Sequence, residues 1–304
     1  MSLFEHDSPD CRSHEGTSLK QVLQAKEKDI GAFTVRRLLP SLRQRSVGPF
    51  VFFDHMGPAE LQPGAALSVR PHPHINLATI TYLFAGEIVH RDSVGSVQNI
   101  TPGAINLMTA GRGIVHSERS PTSTLHLSRQ VHGIQLWCAL SKDDEECLPR
   151  FDHYPARALP AINVVDCTIR VLIGSAFGVK SPVVTSLPTL YLELTIPAGS
   201  SLELEASSDE RAAYVVEGAI TCQDGELLEG QLGVFVEYSC PRLVARKDSV
   251  VILIGGAPLT EPRHMDWNFI STRKDRIAQA KLDWTSGAFP PVTDDDDEVI
   301  PLPA

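Results

Sequence analysis

Residues 71–85, PHPHINLATITYLFA, and residues 101–118, TPGAINLMTAGRGIVHSE, decide how this chain folds. Both stretches contain short apolar runs rich in Ile, Leu, Thr and Tyr, and Gly or Pro interrupts them. Runs of this length and composition predict strands of a sandwich or barrel rather than long helices. The segment between them continues the pattern, with a turn expected around Gly95.

The same pattern extends outward through both halves of the chain. Further short runs occur at 48–60, 131–140, 190–206, 211–222 and 248–259. A faint internal repeat accompanies them, because the order of residues 82–86 and 102–108 is echoed at 214–218 and 229–235. A duplicated pair of β-barrels would produce this arrangement.

The length of 304 residues suggests roughly two domains. We predict a polar N-terminal arm at 1–30, a first barrel at 31–155, a second barrel at 156–290 and an acidic, Pro-rich tail at 291–304. Residues 273–289 have helical spacing, with Ile277, Ala280, Lys281 and Trp284 on one face and Gly287 as a stop. We expect this helix to pack on the second barrel.

The composition, 42% hydrophobic and 21% charged, is that of a globular protein with a substantial core. The formal net charge of −10 makes nucleic acid an unlikely direct partner, because an acidic surface repels phosphate. No stretch approaches the roughly 20 apolar residues that cross a bilayer, so no membrane association is expected. The acidic run at 294–298 is typical of a solvated tail.

The cysteines are scattered and form no CxxC pair, which indicates reduced thiols in a chain of this length. The polar, acidic first residues do not have the pattern of a signal peptide. Together these features predict a cytoplasmic protein. The cysteines in question are Cys11, Cys138, Cys147, Cys167, Cys222 and Cys240.

Two pairs of polar side chains carry the chemistry. His72 and His74 occupy alternate positions around Pro73, which disfavours helix, so both imidazoles should project from one face of a strand. His116 and Glu118 have the same spacing about 40 residues later. Each pair alone is more often ordinary packing, but the two together predict one metal site.

Three imidazoles and one carboxylate would leave two positions of an octahedron open. Such a mixed set suits the chemistry of Fe(II), Mn, Co, Ni or Cu better than a closed structural zinc site, and Zn stays a further alternative. Three neutral ligands and one anion leave a charge of about +1 on a divalent ion. The site would therefore attract an anionic chelating ligand.

These motifs resemble those of the pirin family of the cupin superfamily, over nearly the whole chain from about residue 33 to 289. The resemblance implies an all-β fold of two cupin barrels (double-stranded β-helix, or jelly-roll) packed face to face, with one non-haem iron in the first. It places the ligands on His72, His74, His116 and Glu118. The similar segments are 48–60, 71–95, 101–118, 125–140 and 255–280.

The chain departs from the family pattern after the histidine pair, where Ile75, Asn76, Leu77 and Ala78 stand. Many cupins have a glutamate ligand near this last position, which Ala78 cannot replace. Small side chains there favour an open cavity mouth. The second barrel has no histidine between His153 and His264, so we expect it to be metal-free.

The resemblance implies a quercetin 2,3-dioxygenase-like activity on a small, planar, chelating substrate. Glu118 could then remain a ligand or act as the general base for the substrate hydroxyl. An alternative is a non-catalytic, iron-dependent or redox-sensing regulator that binds a transcription factor or a metabolic enzyme. A third possibility is a cupin isomerase or sugar-binding module.

Several other residues invite interpretation. His55 could orient a ligand imidazole, although a hydrogen-bonded core histidine is the simpler interpretation. Arg112 could meet an anionic ligand or make a turn contact. The triplet at 90–92, HRD, does not indicate a kinase, because no other kinase motif accompanies it.

Overall fold

The computed structural model describes residues 18–29, 34–206, 208–223 and 225–303, where nearly all regular structure is β-strand. The strands of the first half are β1 (Leu19–Gln24), β2 (Lys26–Asp29), β3 (Thr34–Leu39), β4 (Phe50–Leu61), β5 (Ser68–His74), β6 (Leu77–Ala85), β7 (Ile88–Asp92), β8 (Val97–Ile100), β9 (Ile105–Thr109), β10 (Ile114–Arg119), β11 (Arg129–Ala139) and β12 (Arg150–Tyr154).

The second half continues with strands and ends in a helix. Its elements are β13 (Ala161–Val164), β14 (Cys167–Ile173), β15 (Ser175–Ala176), β16 (Val179–Lys180), β17 (Thr189–Ile196), β18 (Ser201–Glu203), β19 (Glu210–Cys222), β20 (Gly225–Leu228), β21 (Gln231–Phe235), β22 (Arg242–Gly256), β23 (His264–Asp266), β24 (Phe269–Ser271) and α1 (Lys274–Thr285). Short 3-10 turns lie at Thr122–Thr124 and Ala156–Ala158.

The chain divides into two compact units. The histidine unit comprises residues 26–42, 50–157 and 259–304. Among the described residues, the aliphatic unit comprises 18–25, 43–49 and 158–258. Their β-strand content and the single described helix agree with the predicted all-β class.

The histidine unit is built from two antiparallel sheets. One has the strand order β12-β9-β6-β11-β4-β3-β2 and the other the order β5-β10-β7-β8. Apolar residues from both sheets form one buried cluster that includes Leu83 and Val131 from the first and Ile88 and Ile100 from the second. This shared core holds the second sheet, which carries the predicted ligands, against the first.

The aliphatic unit is dominated by a nine-stranded sheet, in which β1, β21, β19, β22, β17, β14 and β13 follow one another. Its buried interior is filled by aliphatic side chains such as Leu192, Val215 and Leu253. Branched aliphatic residues pack well on pleated strands, and together they leave this interior apolar. That this unit binds no metal ion remains a prediction.

The arm predicted at 1–30 is wrong over its described residues. β1 pairs with β21 of the aliphatic unit, and β2 pairs with β3 of the histidine unit. The reason is that Leu19, Val22 and Leu23 supply apolar contacts within an otherwise polar stretch. The first 17 residues lie outside the described ones.

The C-terminal helix forms as predicted, but in the other unit. Ile277 and Ala280 are its buried residues and pack with Ile75 and Phe269 of the histidine unit. Gly287 follows the helix with a φ of +73°, a conformation that glycine adopts without steric cost. Sequence order suggested the second barrel, whereas apolar contacts with β24 attach the helix to the first.

The acidic tail is not simply solvated. Arg119 makes a two-pronged ion pair with Asp295, with N···O distances of 3.0 and 2.7 Å. The Ile300 amide also donates to the Pro71 carbonyl at 2.9 Å. Opposite charges and a backbone hydrogen bond therefore fasten this segment beside β5 and β10.

Two further sequence expectations can be compared with the structure. Cys240 is disulfide-bonded, so the expectation of reduced thiols is wrong at that position. Cys138, Cys147, Cys167 and Cys222 are thiols that take part in no disulfide bond. Among the described residues, the one α-helix is too short and too polar to span a bilayer.

Candidate metal centre

The antiparallel pairing of β5 and β10 brings the histidines together. His116 lies opposite His72 in the register, and Ile114 lies opposite His74. The three imidazole rings are buried, and their centroids are 4.4 to 5.1 Å apart. One ligand nitrogen from each ring lies within 4.8 Å of the others. Of the four side chains expected to converge, the three histidines therefore lie together.

Two of these rings are oriented by backbone carbonyls. His72 Nδ1 lies 2.9 Å from the Arg70 carbonyl, and His74 Nδ1 lies 3.1 Å from the Asn268 carbonyl. A carbonyl oxygen can only accept, so each Nδ1 carries the proton and donates it. The Nε2 atom of each neutral ring is therefore left with a lone pair that can bind a metal.

The third ring, His116, has one nitrogen without a hydrogen bond. Its Nε2 atom is buried and has no hydrogen-bond partner. Buried polar nitrogens are rarely left without a partner, because burial removes the water that would otherwise satisfy them. A metal ion bound to the lone pair would satisfy this atom.

The electrostatic environment keeps the rings neutral. Burial lowers the pKa of His72 to about 4, and it lowers the pKa values of His74 and His116 well below their usual value. The neighbouring imidazoles contribute further, since each disfavours a second positive charge nearby. Neutral imidazoles with free lone pairs are the form that binds metals, so the donor set fits a divalent ion.

Glu118 is placed differently from the histidines. It lines the same cavity, but it is not part of the group whose ligand atoms all lie within 4.8 Å of one another. Burial raises the pKa of its carboxyl group, partly offset by His90 and by a hydrogen bond with Thr81. The structure therefore brings Glu118 to the site, and its roles as ligand and catalyst remain proposals.

A cavity of about 520 Å³ adjoins the imidazoles and has an aromatic wall. Trp137 stacks on Phe52 with ring centroids 4.1 Å apart and an interplanar angle of 13°. The same indole meets His74 edge-on at 5.0 Å. Trp267 from the C-terminal segment also lines the cavity. A flat aromatic ligand would find apolar faces directly beside the predicted metal ligands.

The cavity also has one charged pair. Arg37 donates two hydrogen bonds to the Asp54 carboxylate, at 2.8 and 2.7 Å, and its guanidinium lies 4.5 Å from the centre of the Phe52 ring. Asp54 is only 8% exposed. These two residues were missed by the sequence analysis, because neither belongs to a recognisable motif.

Other predicted or considered residues lie elsewhere. Thr79, and not Ala78, lines the cavity, because side chains alternate along β6, so the argument for an open mouth from Ala78 is wrong. His55 lies 2.8 Å from His132, Nε2 to Nε2, and away from the cavity lining. The backbone of Arg112 contacts Cys147 and Arg276, and its side chain is exposed, which is a turn contact.

The structure adds a pair that the sequence had suggested only as a false kinase motif. His90 lies on β7, next to β10, with its Nδ1 atom 3.4 Å from His116 Nδ1. Asp92 accepts a hydrogen bond from the other side of the His90 ring, at 2.9 Å. Their spacing of two residues on a strand beside a ligand strand was the signal that could have revealed them.

Comparison with known protein families gives a consistent result. A family model described as Pirin matches residues 32–138, and one described as the Pirin C-terminal cupin domain matches residues 191–290. A pirin-like protein of Caulobacter vibrioides is 46% identical over 285 residues, which cover 93% of this chain and 98% of that protein. Pirin of Mus musculus is 29% identical over 280 residues, which cover 90% and 93% of the two chains.

Solved structures agree with this result. The crystal structure of quercetin 2,3-dioxygenase from Acinetobacter baumannii matches with a TM-score of 0.87 at 31% sequence identity. The match covers 93% of this chain and 95% of that one. Over nearly its whole length, this chain is therefore similar in fold to a protein named quercetin 2,3-dioxygenase.

Proposed function

Because the chain belongs to the pirin family and contains both of its cupin domains, we propose that it is an iron-dependent dioxygenase of flavonol-type substrates. The observation that carries this proposal is the convergence of three neutral, buried imidazoles beside a cavity with a stacked aromatic wall. The similarity to a quercetin 2,3-dioxygenase structure supports the substrate class.

The residues that would hold the ion are His72, His74 and His116, through their Nε2 atoms, with Glu118 as the carboxylate of the set. A divalent iron bound there would act as a Lewis acid and lower the pKa of a chelating hydroxyl group. Fe(II) is the ion that such a mixed set of nitrogen and oxygen ligands with open positions suits well.

The chain's own residues would then bind and orient the substrate. The face of Trp137 that is turned away from Phe52 would cover a planar ring system and exclude water from it. The Arg37–Asp54 pair would meet a polar substituent at the cavity wall, since a guanidinium beside a carboxylate offers both a donor and an acceptor. Glu118 lies in the same cavity. It would serve in one of two ways, as the carboxylate of the ligand set or as the base that accepts the proton of the substrate's 3-hydroxyl group.

The direct test is oxygenation by metal-loaded protein. Fe(II)-loaded full-length chain, mixed with a flavonol in air, should consume O₂ in proportion to the loss of the flavonol's long-wavelength absorbance. Metal-stripped protein and protein loaded with Zn(II), which does not change redox state, serve as controls. Absence of O₂ uptake with every flavonol tried would overturn the proposal and favour the non-catalytic, iron-dependent regulator.

A further inference from the structure

His116 is held differently from the other two imidazoles of the cluster. His72 and His74 lie on β5, an edge strand of the four-stranded sheet, and each donates Nδ1–H to a backbone carbonyl. His116 lies on β10, which is paired on both sides, by β5 and by β7. Backbone pairing occupies both edges of this inner strand, and the group that contacts His116 Nδ1 is a side chain.

His90 is the side chain in that position. Its Nδ1 atom lies 3.4 Å from His116 Nδ1, a long but formed hydrogen bond, and the two rings are buried. Phe151 stacks on the His90 ring with centroids 4.3 Å apart and an interplanar angle of 23°. Packing therefore fixes the plane of the ring that faces His116.

Asp92 fixes His90 from the other side. Its Oδ2 atom lies 2.9 Å from His90 Nε2, and its Oδ1 atom accepts the backbone N–H groups of Val94 and Ser96 at 3.0 and 2.9 Å. Both carboxylate oxygens are thus occupied by donors. An ionised carboxylate accepts and does not donate, so His90 Nε2 must carry its proton.

The proton positions follow along the chain of contacts. With Nε2 protonated, a neutral His90 has its lone pair on Nδ1 and can only accept there. His116 Nδ1 must then donate, which leaves the lone pair of His116 on Nε2. That atom is the buried one without a partner, and it belongs to the ring that completes the cluster with His72 and His74.

We propose that Asp92 and His90 are positioning residues that form a hydrogen-bonded chain and hold His116 in the tautomer that binds the metal. This proposal rests on the metal site of the proposed function, but not on the dioxygenase reaction or on any substrate. The pair accepts the Nδ1–H of His116, as a backbone carbonyl does for His72 and for His74. Partners of this kind set the tautomer and orientation of metal-binding histidines.

An Asp92→Asn substitution would reverse the direction of donation along the hydrogen bonds from residue 92 through His90 to His116. With asparagine Oδ1 still accepting the two backbone amides, its NH₂ group would face His90 Nε2, which must then accept. His90 Nδ1 would donate, His116 Nδ1 would accept, and the proton of His116 would lie on Nε2, where it blocks the metal. A His90→Phe substitution keeps the stacking on Phe151 but removes the link, so His116 could adopt either tautomer.

The experiment measures metal affinity and tautomer without substrate. Co(II) binding to the full-length protein, in competition with a chelator, should be about 10- to 100-fold weaker in Asp92→Asn, and weakened less in His90→Phe. A merely structural role predicts the opposite order, because asparagine is nearly isosteric whereas phenylalanine deletes both hydrogen bonds. Asp283→Asn, on the helix surface, is the matched control and should bind Co(II) like the wild type.

The second measurement reports the tautomer of His116 directly. The ¹⁵N chemical shifts of labelled, metal-stripped wild-type protein should show the His116 proton on Nδ1, and those of Asp92→Asn should show it on Nε2. Unchanged Co(II) affinity in Asp92→Asn would overturn the proposal, as would a wild-type His116 protonated on Nε2. Loss of the dioxygenase hypothesis alone would leave these results unaffected, because no turnover is measured.

Discussion

His72 and His116 occupy directly opposite positions on β5 and β10, with their ring centroids 4.4 Å apart. Cross-strand neighbours on one face of an antiparallel pair are held at this separation by the ladder itself. The metal site therefore depends on strand register, since a slip by one residue would turn His72 to the other face. Removing one of these imidazoles should abolish the site without disturbing the ladder.

The first prediction concerns His72→Ala. The variant loses one of three clustered nitrogens, so we expect metal content to fall from about one ion per chain to nearly none. Elemental analysis of purified protein measures this directly. The control is His126→Ala, because His126 is exposed and outside the cluster. Unchanged metal content in the His72 variant would contradict the assignment of this imidazole.

The clustering of His72, His74 and His116 could be predicted from the sequence because strand periodicity is local. Alternation places His72 beside His74 and His116 beside Glu118 whatever the rest of the fold does. The wall of the cavity could not be predicted in this way. The carbonyl that orients His74 belongs to Asn268, which is 194 positions away.

The fold class was predictable for the same reason, and the placement of its last segments was not. Short apolar runs with turn signals predict strands, and spacing predicts the helix around Ile277. Which unit the helix joins depends on its contacts with Ile75 and Phe269, which no local pattern records. The acidic run likewise looked solvated, because its partner Arg119 lies 176 positions from Asp295.

The second prediction concerns the aromatic wall. Trp137→Leu removes the aromatic face on which a bound flavonol would stack, and stacking of two aromatic rings is worth about 0.5–1.5 kcal/mol beyond the buried area. We therefore expect the dissociation constant of a flavonol to rise by about 2- to 12-fold. Isothermal titration of metal-loaded protein measures the change. Trp137→Phe retains a stacking face and should bind nearly as the wild type does, and equal weakening in both variants would argue against stacking.

The third prediction concerns the Arg37–Asp54 pair and pH. Burial raises the pKa of Asp54, and the hydrogen bonds and charge of Arg37 partly offset that effect. A raised pKa means that this carboxyl group contributes stability that is fully present below its unfolded pKa, about 3.9, and lost as the pH rises through the folded value. Arg37→Met removes the offset, so the pKa should rise further.

The free energy of unfolding of Arg37→Met should therefore fall below that of the wild type, by about 1–3 kcal/mol at neutral pH for an unsatisfied buried group. The deficit should be smaller at about pH 4, because acid favours the protonated form of Asp54, which needs no counter-charge. Urea denaturation at the two pH values tests this. Arg150→Met, which breaks the more exposed pair with Asp152, should show a small, nearly constant change. A pH-independent deficit in Arg37→Met would contradict the argument.

The fourth prediction concerns the C-terminal segment, where Ile300 both lines the cavity and donates its amide hydrogen bond to Pro71. Asp295→Asn removes the charge that pairs with Arg119, so residues 294–303 should lose protection from hydrogen exchange while the β-sheets keep theirs. Burial opposes ionisation of Asp295, but the hydrogen bonds and the positive charge of Arg119 outweigh it and lower the pKa of Asp295.

A lowered pKa means that the contribution of Asp295 to stability is present above the unfolded pKa, about 3.9, and lost as the pH falls through the folded value. Protection of this segment in the wild type should therefore be complete at neutral pH and decline in acid before the sheets unfold. Asp297→Asn is the matched control, because Asp297 is exposed in the same run. If Asp295→Asn and Asp297→Asn change exchange equally, the ion pair with Arg119 does not hold the segment, and net charge alone accounts for the effect.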